Sequence, residues 1–347
     1  MQYPSINVYL NKLTQNVSLA KKICDAHEIE IIGVTKGFCG HPGIAEAYVK
    51  GGVSGLADSR IKNLKKLGCF NVPRYLLRIP MLSEAADVVK YADVSLNSEL
   101  ETIRTLGREA VLQSKRHKII LMLELGDIRE GVLIEDVLDY VQAISEIKGI
   151  KLVGIGANLS CFGGVIPDEN NLGLLAQKAE QIENKFKIKL EIVSGGSTSS
   201  FHLIKQGKMP ARINQLRMGE IFIQGTGLNV HSQVFQLQAE IIEVKSKPSA
   251  PTGDIGLDAF FRKPVFEDRG IRKKALLAVG KQDVDPDHIR PCDSDLEVIG
   301  ASGDHLILDI ESSSKDYRVG DIIDFDLNYV STLNLMTSEY VHKVMIY

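Results

Sequence analysis

The sequence predicts an α/β protein: an N-terminal (β/α)8 barrel of the TIM type, then a C-terminal, mostly antiparallel β domain. Two observations point to the barrel. Over the first two-thirds of the 347 residues, eight short strand-like runs alternate with helix-like runs. Repeated strand–helix units imply parallel strands with right-handed crossovers. Several of the strand runs are also apolar throughout, as strands covered on both faces are. A third observation sets the domain limit. After residue 227 the alternation stops, and β-type runs joined by turn-rich links take over. The barrel is assigned to residues 8–227 and the β domain to 228–347, with residues 1–7 as a candidate to join the latter.

Taken in order, residues 10–27 are amphipathic and read as a helix. EIEIIGVTKG (28–37) is an apolar, β-branched strand that stops at Lys36, with helical IAEAYVKGG (44–52) behind it. SGLADSR (54–60) and RYLLRIP (74–80) are strands backed by IKNLKKLG (61–68) and SEAADVVKYA (83–92). DVSLNS (93–98) leads into a longer helix over 99–115, KIILMLELGD (118–127) into 134–147, and KLVGIGANLS (151–160) into 172–186. LEIVSGGS (190–197) precedes SFHLIKQG (200–207), and INQLRMGEIF (213–222) closes the series. An open doubly wound sheet is the alternative. The count of eight and the lack of a G-x-G-x-x-G after the first strand favour closure. In the second domain the strands are 237–246, 273–281, 296–302, 305–311 and 321–327, with links at 247–254, 286–291 and 312–316.

Composition excludes several functions. Basic and acidic residues nearly cancel, 41 against 44 for a net charge of −3, and no basic stretch exists, which argues against nucleic-acid binding. No apolar run approaches the ~18 residues of a membrane helix. The start, MQYPSINVYLNKLTQNV, lacks the apolar core of a signal peptide. Cys24, Cys39, Cys69, Cys161 and Cys292 are scattered and form no C-x-x-C pair, so neither a disulfide framework nor a zinc knuckle is indicated. The chain reads as cytoplasmic, with reduced thiols. No metal is expected, because the eight histidines do not cluster at strand ends.

Barrel enzymes carry their working groups at the C-terminal ends of the strands. Here those ends offer Lys36, Asp58, Arg60, Arg78, Asn97, Asp127, Arg129, Asn158, the loop SGGSTSS (194–200) and Arg217. One lysine, several arginines and few carboxylates at one mouth suggest an anion site. In the loop, Gly195 and Gly196 let a ligand approach the backbone. Ser197, Thr198 and Ser199 add hydroxyls at a helix start, where free N–H groups bind phosphate. A Ser/Thr-capped turn is the alternative, but barrels often hold phosphate between the loops after strands seven and eight. Lys36 follows a buried run, so it either snorkels to solvent or is functional. A partly desolvated amine beside other cations is easier to deprotonate and can act as a nucleophile. Phosphate at one side of the mouth and a reactive lysine at the other suggest pyridoxal 5′-phosphate (PLP) held as a Schiff base.

These residues lie in longer motifs: GVTKGFCG (33–40), GLADSRIKNLKKL (55–67), LNSELETI (96–103), HKIILMLELGDIREG (117–131), GIGANLSCFGGVIP (154–167), VSGGSTSS (193–200) and INQLRMGE (213–220). Together with residues 256–285 and GASGDHLILD (300–309), they resemble the alanine/ornithine racemase family of fold-type III PLP enzymes over nearly the whole chain. The resemblance implies that Lys36 is the Schiff-base lysine and the base on one face of the substrate α-carbon. It sets Arg217 against the pyridine nitrogen. Ser197, Thr198 and Ser199 are then phosphate ligands, helped by the backbone at Gly219 and Glu220. Arg129 matches an arginine near the phenolic oxygen, and Asn158 stands where alanine racemases have a ring-stacking histidine.

One position departs from the family. The second base there is a tyrosine in a G-Y-A-D pattern, contributed by the partner's β domain. This chain has Gly280-Lys281-Gln282-Asp283, so Lys281 takes the tyrosine position, with Asp283 or a residue of 256–270 as alternatives; Asp304 matches another position near the site. The resemblance further implies a homodimer with shared active sites. The substrate is a free amino acid, ornithine before lysine or alanine. A second ammonium would need an acidic partner such as Asp258, Glu267, Asp268, Asp283 or Asp285. The competing readings are a fold-type III decarboxylase or aldolase and a non-catalytic PLP carrier. The former would place a carboxylate where Arg217 stands, and the latter would lack the β domain.

Overall fold

The computed structural model describes residues 2–228 and 230–347. They form two compact units: Asn11–Ser232, and residues 2–10 with Gln233–Tyr347. The first strand, β1 (Ser5–Tyr9), belongs to the second of these. The larger unit is a closed barrel of eight strands: β2 (Glu30–Val34), β3 (Gly55–Asp58), β4 (Arg74–Leu76), β5 (Val94–Asn97), β6 (His117–Leu123), β7 (Ile150–Ala157), β8 (Ile192–Ser194) and β9 (Gln215–Met218). Each pairs in parallel with its neighbours, and β2 closes on β9 with Ile32 opposite Arg217. The predicted fold class is the observed one.

Period-2 alternation packs the interior. Ile32 and Val34, Val94 and Leu96, and Ile120 and Met122 point inward in pairs, with Ala57, Tyr75, Val153 and Ile192 completing the cluster. Helices cover the outer face. The helix Leu100–Leu112 buries Ile103, Leu106 and Ala110, one stripe at i, i+3 and i+7. The helix Glu169–Phe186 starts at a capping box, in which the Asp168 carboxylate accepts from the Asn170 and Asn171 amides. Two details differ from expectation. The helix expected over 200–207 begins earlier, as a 3-10 turn Thr198–Ser200 that runs into Phe201–Lys205. The last strand is followed by its own short helix, Glu220–Gln224.

The second unit is a sheet built of β1, β10 (Phe235–Pro248), β11 (Ile271–Leu277), β12 (Ile289–Pro291), β13 (Glu297–Ala301), β14 (Leu306–Asp309), β15 (Ile322–Leu327) and β16 (His342–Ile346). The order is β12-β15-β10-β11-β14-β13, all antiparallel. β1 adds antiparallel to β10 and is itself joined, in parallel, by β16. Alternation sets the buried face of β10: Phe235, Leu237, Ala239 and Ile241 are buried, and the residues between them are not. The link expected at 286–291 contains β12. A helix, Tyr329–Thr337, capped by Asn328, precedes the last strand.

Candidate active site

Lys36 is the first residue of a 3-10 turn, Lys36–Phe38, at the end of β2. The preceding residue is tightly held. The Thr35 amide donates to the Ala57 carbonyl at 2.7 Å, and its hydroxyl donates to Asp58 Oδ2 at 2.7 Å. Asp58 Oδ1 accepts from Asn63 Nδ2 and from the Arg60 amide, both at 3.0 Å. Burial pushes the Asp58 carboxyl above the usual carboxylate range, while these hydrogen bonds pull it back. The base of Lys36 is thus fixed, but its side chain is exposed. The desolvation expected from the sequence is not present in the single chain, because the strand ends at Val34 and residue 36 already emerges from the barrel.

Arg217 is the opposite case: it is 3% exposed, on β9 beside β2. Its guanidinium reaches across the barrel end. Nη1 donates to Ser194 Oγ at the end of β8. Nη2 donates to the Ala157 carbonyl at 2.8 Å and to Asn158 Oδ1 at 2.7 Å, at the end of β7. Burial draws the group down to about 10, and the Glu130 carboxylate opposes that. It therefore remains a cation at neutral pH.

The hydroxyl loop lies against the end of β9. Thr198 Oγ1 accepts from the Ile221 amide at 3.4 Å, and Ser197 Oγ meets Ser199 Oγ at 3.2 Å. Gly196 has φ +105°, which a residue with Cβ rarely adopts. Gly219 allows a close approach, since a Cβ there would stand 2.7 Å from the Val34 carbonyl oxygen. Glu220 is exposed at the start of the last short helix.

Carboxylates are more involved than the sequence suggested. Arg78 is bonded to Glu84 at 3.1 Å. Arg129 is bonded through Nε and Nη2 to its neighbour Glu130, which raises its affinity for the proton. Asp127 is buried, and its Oδ2 accepts from the Cys161 and Phe162 amides. Asn97 turns back to Ser95. Sequence reasoning missed Ser194 and Glu130. Ser194 stood in the SGGSTSS loop but was passed over for the hydroxyls after it. Glu130 stood beside Arg129 with no signal of its own.

Lys281 and Asp283 belong to the sheet unit and Lys36 to the barrel unit. The Lys281 amide donates to the Ser302 carbonyl at 2.9 Å. Its ammonium lies 4.0 Å from the centroid of the Phe260 ring. Asp258 shapes that loop by accepting from the Phe260 and Arg262 amides. Asp283 is buried and accepts from the Ser338 hydroxyl at 2.7 Å. Asp304 is exposed and bonded to His305. No helix among the described residues is long and apolar enough to cross a membrane.

The sequence profile of the alanine racemase N-terminal domain matches residues 8–225. The chain belongs to the alanine racemase family. Two curated relatives align along the whole length. An ornithine racemase of Acetoanaerobium sticklandii is 43% identical over 352 residues, 99% of this chain and 100% of the relative. A lysine racemase of Thermotoga maritima is 38% identical over 354 residues, 99% of each. Among solved structures, alanine racemase of Clostridium difficile superposes with a TM-score of 0.75 at 17% identity, covering 99% of this chain and 95% of that one. D-threonine aldolase of Filomicrobium marinum gives 0.74 at 14%, covering 96% and 89%. At such identities the two structures share the fold with this alanine racemase family member, and the likeness extends no further.

Proposed function

We propose that the protein is a PLP-dependent amino-acid racemase that interconverts L- and D-ornithine, with lysine and alanine as lesser substrates, and works as a homodimer. The observation that carries the proposal is the buried Arg217 cation at the mouth of a barrel whose chain is related along its whole length to racemases of two basic amino acids. The residues fit the cofactor. The exposed Lys36 amine would hold its aldehyde carbon, and the hydroxyls of Ser197, Thr198 and Ser199 with the backbone at Gly219 and Glu220 its phosphate. Arg217 would face its ring nitrogen, and Arg129 and Asn158 would flank the ring.

When bound, PLP supplies an electron-withdrawing ring that makes the α-hydrogen of an amino acid acidic. Arg217 can donate a hydrogen bond toward the ring nitrogen but cannot accept one. That tempers the electron withdrawal, which suits removal and return of one proton. A decarboxylase or aldolase would want a carboxylate at this position, so that reading is not favoured. A PLP carrier would have no use for the sheet unit. Lys36 Nζ would take the α-proton from one enantiomer on one face, and in the reverse direction deliver a proton to that face. The opposite face needs a second base. Lys281 is our first choice, because Asp283 is buried and engaged with Ser338. In a dimer the partner's sheet unit would bring that base.

The test is a chiral assay of L-ornithine, L-lysine and L-alanine in deuterated water. The D-isomer should appear, with deuterium at the α-carbon, fastest from ornithine. Release of CO2 without D-isomer would overturn the proposal.

A further inference from the structure

Four side chains at the barrel mouth form one hydrogen-bonded chain. Arg217 Nη2 donates to Asn158 Oδ1 at 2.7 Å, and Asn158 Nδ2 donates to Glu130 Oε1 at 2.5 Å. Both Glu130 oxygens also take Arg129, through Nη2 at 2.6 Å and through Nε. The direction of each bond is forced. A guanidinium can only donate and an ionised carboxylate can only accept, so the amide between them must show its oxygen to Arg217 and its nitrogen to Glu130. An adjacent Arg–Glu pair alone could be an ordinary surface ion pair, worth little. This pair is different, because the Glu130 side chain is only 16% exposed and reaches 28 residues along the chain to Asn158. Among the described residues it is also the one carboxylate wired, through a single amide, to the buried Arg217.

We propose that Glu130 is a positioning residue: through Asn158 it aims the Arg217 guanidinium at the ring nitrogen of the cofactor, and directly it holds Arg129 beside the same ring. This rests on the PLP reading given above. Removing the charge while keeping the shape, as in Glu130→Gln, frees the amide of Asn158 to turn over and lets Arg217 lose its aim.

The experiment uses the full-length protein loaded with PLP labelled at the ring nitrogen. The nitrogen-15 NMR shift of that atom reports its hydrogen bonding directly. In Glu130→Gln the signal should move away from the wild-type position, and PLP should bind about 10-fold more weakly, the size of one lost hydrogen bond to a charged group. Asn158→Ala should move the signal in the same direction. The double variant should shift that signal no further than Asn158→Ala alone, as groups acting in series on Arg217 do, while the direct hold on Arg129 is read only in PLP binding. A wild-type signal in either single variant, or additive shifts of that signal in the double variant, would overturn the inference. If Glu130→Gln cannot be purified folded, Glu130→Asp, which keeps the charge but draws it back from Asn158, decides it by the same signal. Failure of the PLP reading is seen separately: the wild-type protein would then take up no cofactor.

Discussion

Lys36 and Arg217 are set by opposite physics: the amine is held only at its base, the guanidinium along its whole length. Lys36→Ala should therefore leave the fold intact, with an unchanged melting temperature, yet abolish the visible absorption of the PLP-loaded protein. A retained band would move the attachment point elsewhere. Gly219 is a structural counterpart. A Cβ there would press on Val34 two residues before Lys36, so Gly219→Ala should cost about 1–3 kcal/mol, as overpacking does, read as a lowered midpoint in urea. Both residues were legible in the sequence because each sits in a motif at a strand end. Glu130 was not, since nothing in DIREG says that its side chain turns back to the loop after the next strand. The sequence left the exposure of Lys36 open for a related reason: a buried run does not say on which residue the chain leaves the barrel.

Among elements, the barrel strands were legible because burial on both faces makes several of them apolar throughout and because helix-like runs alternate with them. The edge pieces were not. β1 has a polar residue at every second position, Ser5 and Asn7, and both are buried. β12 is three residues long and ends in proline. The barrel strands also hold an unexpected buried polar pair, His117 Nε2 on β6 and Ser95 Oγ on β5, 2.8 Å apart. Burial lowers the histidine from its usual 6.5 to about 4. Above pH 6.5 the imidazole is neutral in folded and unfolded chains alike. Below it, the unfolded chain takes up a proton that the folded one refuses. Stability should then fall by up to about 3 kcal/mol as pH drops from 6.5 to 4. Asp58, whose carboxyl is raised, works in the opposite sense over the acid range. Urea titrations at stepped pH should show the loss, and His117→Asn should flatten it.

At the scale of the molecule, the proposed dimer makes a prediction that neither unit makes alone. Lys36→Ala and Lys281→Ala should each be inactive, yet a refolded mixture should regain part of the ornithine racemisation, because a mixed pair contains one site with both lysines. No recovery would mean that each site is built within one chain. The segment around Leu257, Phe261 and Val265, with Val265 94% exposed, leaves an apolar surface of the kind that association covers. The path of the chain has a consequence of its own. Ser5–Val8 pair with residues 235–238, and Ser5–Tyr9 with 342–346. During synthesis, β1 can pair with β10 only after the whole barrel between them has been made, and with β16 about a hundred residues later still. A nascent chain stalled just before β10 should therefore hold a finished barrel with the β1 segment still open to protease.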